Sequence, residues 1–289
     1  MAGFLGTTTS FSIFEAPVPS KLDFEAVRAW AFSDAVTPEG TRLGWVGLGN
    51  AVDTDFSFGI DHGRFAALSL RVDSRKASGA ALKLQLAEAV QEELAQGGNV
   101  SNKRKKELRE AITAKLISKA EWTPALTDCL WDLEKGRLLV AASPKAALPL
   151  LERFTSTFGV DAQPYTPKED LPSFFARLSR ENVSVNGREL SCAGSATLAT
   201  PLHVEGKMAV AVQNNENTIA SALDEGLIIQ KLAMIADATL EFSLDTSLTV
   251  SGLKLPKAEK GADADTDFLL KADVCVMVAD LALAIAGLA

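Results

Sequence analysis

From Ala80 to Lys119 the chain spaces apolar residues four apart in two successive runs, a pattern that two consecutive helices bury. The first run is Leu82, Leu86, Val90 and Leu94, with Ala89 beside them, and Gly97-Gly98 ends it. Asn99 to Asn102 reads as the turn. Ser101 or Asn102 then caps a second helix with the stripe Leu108, Ile112 and Leu116, leaving the lysines and arginines for its other faces. Two facing stripes predict an antiparallel helical hairpin over about 78–121. An arm of roughly 18 residues is about 27 Å long at ~1.5 Å per residue, so the hairpin is expected to project from the body that carries it.

Its second arm is also where the charge collects. Ser101 to Ala120 holds seven Lys or Arg (Lys103, Arg104, Lys105, Lys106, Arg109, Lys115, Lys119) against Glu107 and Glu110, a local charge of +5. The whole chain is at −8, so the other 269 residues carry −13. Such separation suits a polyanion or an acidic partner, and the plainer alternative is a solvated helix face. Backbone phosphates ask only for positive charge at intervals, not for a fixed catalytic geometry. Trp122 is the one aromatic near the cluster, which supports sequence-independent phosphate contact better than base stacking.

The segments around the hairpin mix strand and helix patterns. Phe11 to Phe14, Leu43 to Val46 and Arg64 to Val72 read as strands, and Lys21 to Phe32 as a helix with Leu22, Val27, Trp30 and Ala31 on one side. Beyond Pro124, expected to end the hairpin region, Cys129 to Leu133 and Arg137 to Ala142 form a strand pair turning at Glu134-Lys135-Gly136. Ser143-Pro144 opens a helix presenting Leu148, Leu151, Phe154 and Phe158, stopped by Gly159. The prolines 164, 167 and 172 mark a boundary, giving an N-terminal α+β domain over 1–165 and a C-terminal α+β domain over 166–289. The second domain opens with a helix from about Ser173 to Arg180. It continues with strands at Leu190–Leu198, Lys207–Val212, Leu227–Ile235, Ala238–Leu244 and Leu248–Leu253, and a short helix near Thr218–Asp224. The apolar stretch Phe268 to Ala289 is expected to cover a mostly antiparallel sheet. Lys271, Asp273 and Asp280 make it a packing helix of a soluble protein, since each would cost about 2.5–3.5 kcal/mol near a bilayer centre.

Composition narrows the chemistry. Cys129, Cys192 and Cys275 are odd in number and far apart, which argues for free thiols in a reducing compartment, and the N-terminus has no secretory pattern. Of the two histidines, His62 falls in an Asp-His-Gly turn and His203 in a polar linker, neither an expected catalytic base. Asp263, Asp265 and Asp267 begin like a calcium loop, but Phe268 and Val274 stand where it needs glycine and glutamate, so a solvated linker is expected. Asp53, Asp55 and Asp61 are the one hook for a metal-dependent nuclease. Gly47-Leu48-Gly49-Asn50 lacks the partners of a phosphate loop and reads as a tight turn. No cofactor, metal site or catalytic group is assigned.

In order and spacing, these segments resemble the RdgC family of bacterial recombination-associated proteins. The resemblance rests on Gly44-Trp45-Val46, the hairpin Ala80 to Lys119, and Trp131 to Val140 leading into the Ser143 to Gly159 helix. Gly226-Leu227-Ile228-Ile229-Gln230-Lys231-Leu232-Ala233 and the closing Asp265 to Leu288 also fit it. It implies an elongated subunit of a ring-shaped homodimer around duplex DNA, with single-stranded DNA as a further partner, that limits the RecA recombinase in the cytoplasmic nucleoid. Lys103, Arg104, Lys105, Lys106, Arg109, Lys115, Lys119 and Lys231 would then face DNA, and Glu121 and Trp122 a dimer contact. The chain departs from the family where a basic pair is matched by the apolar Val210 to Val212. The rival readings are an acidic module that regulates a recombinase directly, and a metal-dependent exonuclease, a label the family also carries.

Overall fold

The computed structural model describes residues 3–200, 209–213, 215–257, 261 and 263–288, and it is a mixed α+β protein built on one large sheet. The strands are β1 (Thr8–Glu15), β2 (Arg42–Val46), β3 (Asp61–His62), β4 (Phe65–Ser74), β5 (Thr123–Asp132), β6 (Arg137–Val140) and β7 (Gln163–Pro164). Then come β8 (Val183–Val185), β9 (Arg188–Ala199), β10 (Ala209–Val212), β11 (Ile228–Ala236), β12 (Leu240–Asp245) and β13 (Thr249–Lys254). They lie in the order β10-β9-β11-β12-β13-β1-β6-β5-β4-β2, with β3 beside β4, β7 beside β1 and β8 beside β9. β1 joins the early and late strands: Phe11 faces Val250 of β13, and Ile13 faces Leu139 of β6, both in antiparallel ladders. One core therefore holds Phe11, Ile13 and Leu139 together with Leu244, Val250 and Leu253. Each such side chain contributes roughly 1.5–3 kcal/mol by leaving water.

The helices are α1 (Glu25–Ala29), α2 (Gly79–Ala95), α3 (Asn102–Lys119), α4 (Pro144–Phe158), α5 (Leu171–Leu178), α6 (Glu216–Asp224) and α7 (Ala264–Ile285). α1 is much shorter than the expected helix over Lys21 to Phe32. Asp23 accepts from the Glu25 N–H at its start, and the chain leaves helical geometry at Trp30, which is 41% exposed. Of the expected apolar face only Val27 is buried. In α4 the buried face is Ala147, Leu150, Phe154 and Thr157, while Leu148 is exposed. The polar Thr157 turns that face: its hydroxyl accepts the Trp45 indole N–H at 2.8 Å and donates to the Arg153 carbonyl. Hydropathy alone assigns such a residue to the outside. Pro124 does not end a segment but sits second in β5, on the exposed first turn of the strand, where a missing N–H costs little. The expected boundary region at 161–173 contains β7, paired with β1, and the start of α5.

α7 is apolar nearly all round and buried along its length, as a central helix must be. Its few charges have partners. Lys271 is buried, bonded to Asp267 at 2.6 Å and to the Leu5 carbonyl at 2.9 Å. Asp273 meets Arg64, and Asp280 meets Lys135 and Arg137. The Asp263 to Asp267 segment is not a solvated linker: Asp263 caps α7 through the Thr266 N–H, and Asp265 lies 2.7 Å from His62 Nδ1. Among the described residues no helix is long and apolar enough to cross a membrane.

By internal contacts the chain separates into two compact units. The larger comprises Met1–Ala31, Trp45–Leu70 and Thr127–Ala289, and the smaller Phe32–Gly44 and Arg71–Leu126, so α2 and α3 belong to the smaller.

Candidate nucleic-acid interface

The smaller unit carries twelve Lys or Arg against nine Asp or Glu, a net +3, and the remainder of the −8 chain therefore carries −11. Its two helices start from well-defined caps. Ser78 Oγ accepts from the Ala81 N–H, and Ser101 Oγ accepts from the Arg104 N–H, each covering an amide the helix leaves open. Gly97, at φ +77°, ends α2 in a conformation that side chains resist. Leu86 is buried, and Leu82, Val90, Leu108, Ile112 and Leu116 are half-buried, but Leu94 is 53% exposed and ends outside the expected stripe. No residue of α3 is fully buried. Helical spacing explains why, because Lys105 and Lys119 stand three residues before and three after the stripe 108, 112 and 116. The cations are thus not confined to the other faces of α3.

At one end of the pair Arg104 meets Glu93 of α2; at the other, Arg75, just before α2, reaches the Ser118 carbonyl at 3.4 Å.

All seven basic residues of α3 are exposed, but they are not equivalent. Arg104 places Nε 2.8 Å and Nη2 2.6 Å from Glu93 Oε1, and Nη1 3.3 Å from Glu107. Hydrogen bonding to Glu93, then to Glu107, holds its pKa above the ordinary arginine value. Lys106 faces Glu110 at 3.9 Å, one turn along the helix. Lys103, Lys105, Arg109, Lys115 and Lys119 have no ion-pair partner among the described residues.

Trp122 has partners that no spacing in the sequence announces. The Arg42 guanidinium lies 4.3 Å and the Arg75 guanidinium 4.2 Å from its ring centroid. Both guanidiniums thus lie within cation–π range of the same indole. Arg42 also binds Asp34 at 2.7 Å. Beside them Arg71 stacks on Phe32 at 3.9 Å and pairs with Asp73, whose hydrogen bond raises the arginine pKa. Glu121, expected at a dimer contact with Trp122, is exposed.

Lys231 lies on β11 in the larger unit. It is half-buried in a shallow groove of about 230 Å³ with Ser195, Thr197, Gln213 and Ser243. The neighbouring β10 contributes Val212, which is buried in the core.

Two of the three aspartates that could hold a metal, Asp53 and Asp61, have structural partners. Asp53 accepts from the Ser57 N–H and hydroxyl, and Asp61 accepts from the Gly63 N–H. Among the described residues no three His, Cys, Asp or Glu side chains converge on a point where an ion could sit. Gly47 to Asn50 is a tight turn, closed by the Asn50 N–H to the Gly47 carbonyl, with Gly49 at φ +67°. Cys129 and Cys275 are buried thiols and Cys192 is half-buried. Desolvation pushes all three thiols above their usual pKa, which makes them poor nucleophiles. His203 lies outside the described residues.

A family model described as "Putative exonuclease, RdgC" matches residues 12–289, nearly the whole chain. The chain belongs to the RdgC family. The order of segments through which it resembles RdgC proteins is thus matched along its length, from β1 to the end of α7. None of the curated proteins matches it.

Proposed function

We propose that this RdgC-family chain is a non-enzymatic, sequence-independent DNA-binding protein that closes as a ring-shaped homodimer around duplex DNA. In this reading it modulates RecA-dependent recombination, and α2 and α3 form a projecting hairpin that carries phosphate contacts. The observation behind the proposal is the charge division, +3 in the unit that holds the helix pair and −11 in the rest. A cationic unit attracts the backbone while acidic surfaces elsewhere repel it and keep the protein soluble. Lys103, Lys105, Arg109, Lys115 and Lys119 are the leading contacts because none is neutralised by a carboxylate in its own chain. Lys231 adds a cation in a groove of small polar side chains suited to a sugar-phosphate surface.

The test is a salt titration of binding to linear and circular duplexes of unrelated sequence, run beside a measurement of oligomeric mass. Binding that weakens steeply with salt, persists on circles and is lost from linear ends, at the mass of a dimer, is the expected result. Absence of binding at low salt would remove the proposal.

A second reading, an acidic module acting directly on a recombinase, is favoured by one observation. Arg104 and Lys106 are already paired with glutamates of their own unit. Capture of RecA by protein that does not bind DNA would select it.

A further inference from the structure

We infer that the Arg42–Trp122–Arg75 stack, with Lys76 and Lys119 beside it in sequence, is a second contact for the phosphodiester backbone, separate from the cations at the turn between α2 and α3. This inference rests on the DNA-binding reading above and adds a site to it. Three observations carry it. The first is the stack itself: two guanidiniums lie 4.3 and 4.2 Å from the Trp122 ring centroid, so the cluster gathers two arginine cations on one aromatic side chain. A guanidinium resting against an indole keeps donors for a phosphate, and part of its side-chain ordering cost is already met by the ring contact.

The second observation is that the charge here is open. Arg75 faces no carboxylate among the described residues, and its hydrogen bond to the Ser118 carbonyl is a long one of 3.4 Å. Lys76 and Lys119 are exposed and without ion pairs among the described residues. Arg42 gives one nitrogen to Asp34, and its Nε is buried with no hydrogen-bond partner, so this guanidinium is under-satisfied within the chain.

The third observation is position. Arg75 precedes α2, and Lys119 and Trp122 follow the start of α3 by its full length, so the cluster sits at the opposite end of the pair from Lys103 and Lys105. Fourteen residues of helix separate Lys105 from Lys119, about 21 Å at ~1.5 Å per residue. Along one strand the charges repeat every ~3.4 Å of axis, so about six phosphates of one backbone cover that length.

The experiment compares Arg75→Gln, the double variant Arg75→Gln with Lys119→Gln, and Arg75→Lys, using a duplex of arbitrary sequence. The slope of log affinity against log salt should fall by about 0.9 in the single variant and about 1.8 in the double. Arg75→Lys should keep the slope, because the charge remains, while weakening binding. Oligomeric mass and melting temperature should stay at the wild-type values. An unchanged slope in the double variant, with the wild type still binding DNA, overturns this site and removes Lys119 from the leading contacts, while the DNA-binding reading stands on the others. A slope change that comes with loss of dimer mass assigns Trp122 to the subunit interface and also overturns it. Calorimetric titration with sodium tripolyphosphate separates the remaining source: binding that Arg75→Gln abolishes, with the DNA slope unaltered, would make this a site for free polyphosphate. Failure of wild-type protein to bind any duplex would overturn both readings together.

Discussion

Arg104 holds its Nη2 2.6 Å from Glu93 Oε1, so a cation in the first turn of α3 is neutralised by the helix beside it. The same guanidinium reaches Glu107 on its own helix. The run Lys103 to Lys106 therefore offers fewer open charges to a ligand than its composition suggests. Two of its four members, Arg104 and Lys106, have carboxylate partners.

Glu93→Gln should release Arg104. If the turn between α2 and α3 contacts phosphates, the variant should bind DNA more tightly at low salt, with a salt slope steeper by up to about 0.9. Its melting temperature should barely move, because an exposed ion pair contributes only about 0–1 kcal/mol. Lys103→Gln with Lys105→Gln should lower the slope by about 1.8. Equal slopes in all these proteins would remove the turn from the interface.

Asp128 is buried beside the Ser69 hydroxyl, at 2.6 Å, and the Phe4 N–H, at 3.3 Å. Desolvation raises its pKa despite those hydrogen bonds. A carboxyl whose folded pKa lies above its unfolded one favours folding most below the unfolded value, and loses that advantage as pH rises through the folded value. Asp128→Asn cannot titrate. The stability of the wild type relative to Asp128→Asn, from denaturant unfolding, should thus decline from acidic to neutral pH. A difference independent of pH would contradict this.

Thr157 is the polar member of the buried α4 face, accepting the Trp45 indole N–H at 2.8 Å. Thr157→Val keeps the shape and removes the acceptor, leaving a buried donor unpaired. Unfolding free energy should fall by about 1–3 kcal/mol. Thr157→Ser should recover most of that loss, and equal destabilisation by both variants would assign the effect to packing.

Arg64 reaches Asp132 at 3.1 Å, Glu134 at 3.2 Å and Asp273 at 3.6 Å, and the Asp132 side chain is fully buried. Arg64→Met strands the Asp132 charge with only the Glu134 and Lys135 N–H groups as donors. The loss should be about 2 kcal/mol, below the ~3–5 typical of a fully buried pair because Arg64 is partly exposed. Denaturant unfolding of Arg64→Met and of Arg64→Met with Asp132→Asn checks it: the second change should restore stability, and no restoration would refute the assignment to a stranded charge.

Asp53→Asn, Asp55→Asn and Asp61→Asn address the exonuclease label of the family. We expect no Mg²⁺- or Mn²⁺-dependent digestion of duplex or single-stranded DNA by the wild-type protein. Digestion that disappears in these variants would overturn the non-enzymatic proposal.

What was legible in the residues was local. The four-residue repeats, Ser101 and Gly97 were enough to read α2 and α3, because caps and periodicity act within a turn or two. The strands from β9 to β13 could be read for the same reason, as could α4, whose start and stop lie in Ser143-Pro144 and Gly159. The face of α4 could not, since Thr157 is buried by a tryptophan 112 residues away. Nor could the role of Asp265, which looks like part of an acidic linker until His62 is brought to 2.7 Å. For the interface, the order of residues was enough to locate a cationic segment and the family to which it belongs. Which cations stay open, and that Arg42 and Arg75 both meet Trp122, follow from contacts between segments far apart in the chain. Charge and stacking act through space, so they become definite once packing has chosen the neighbours.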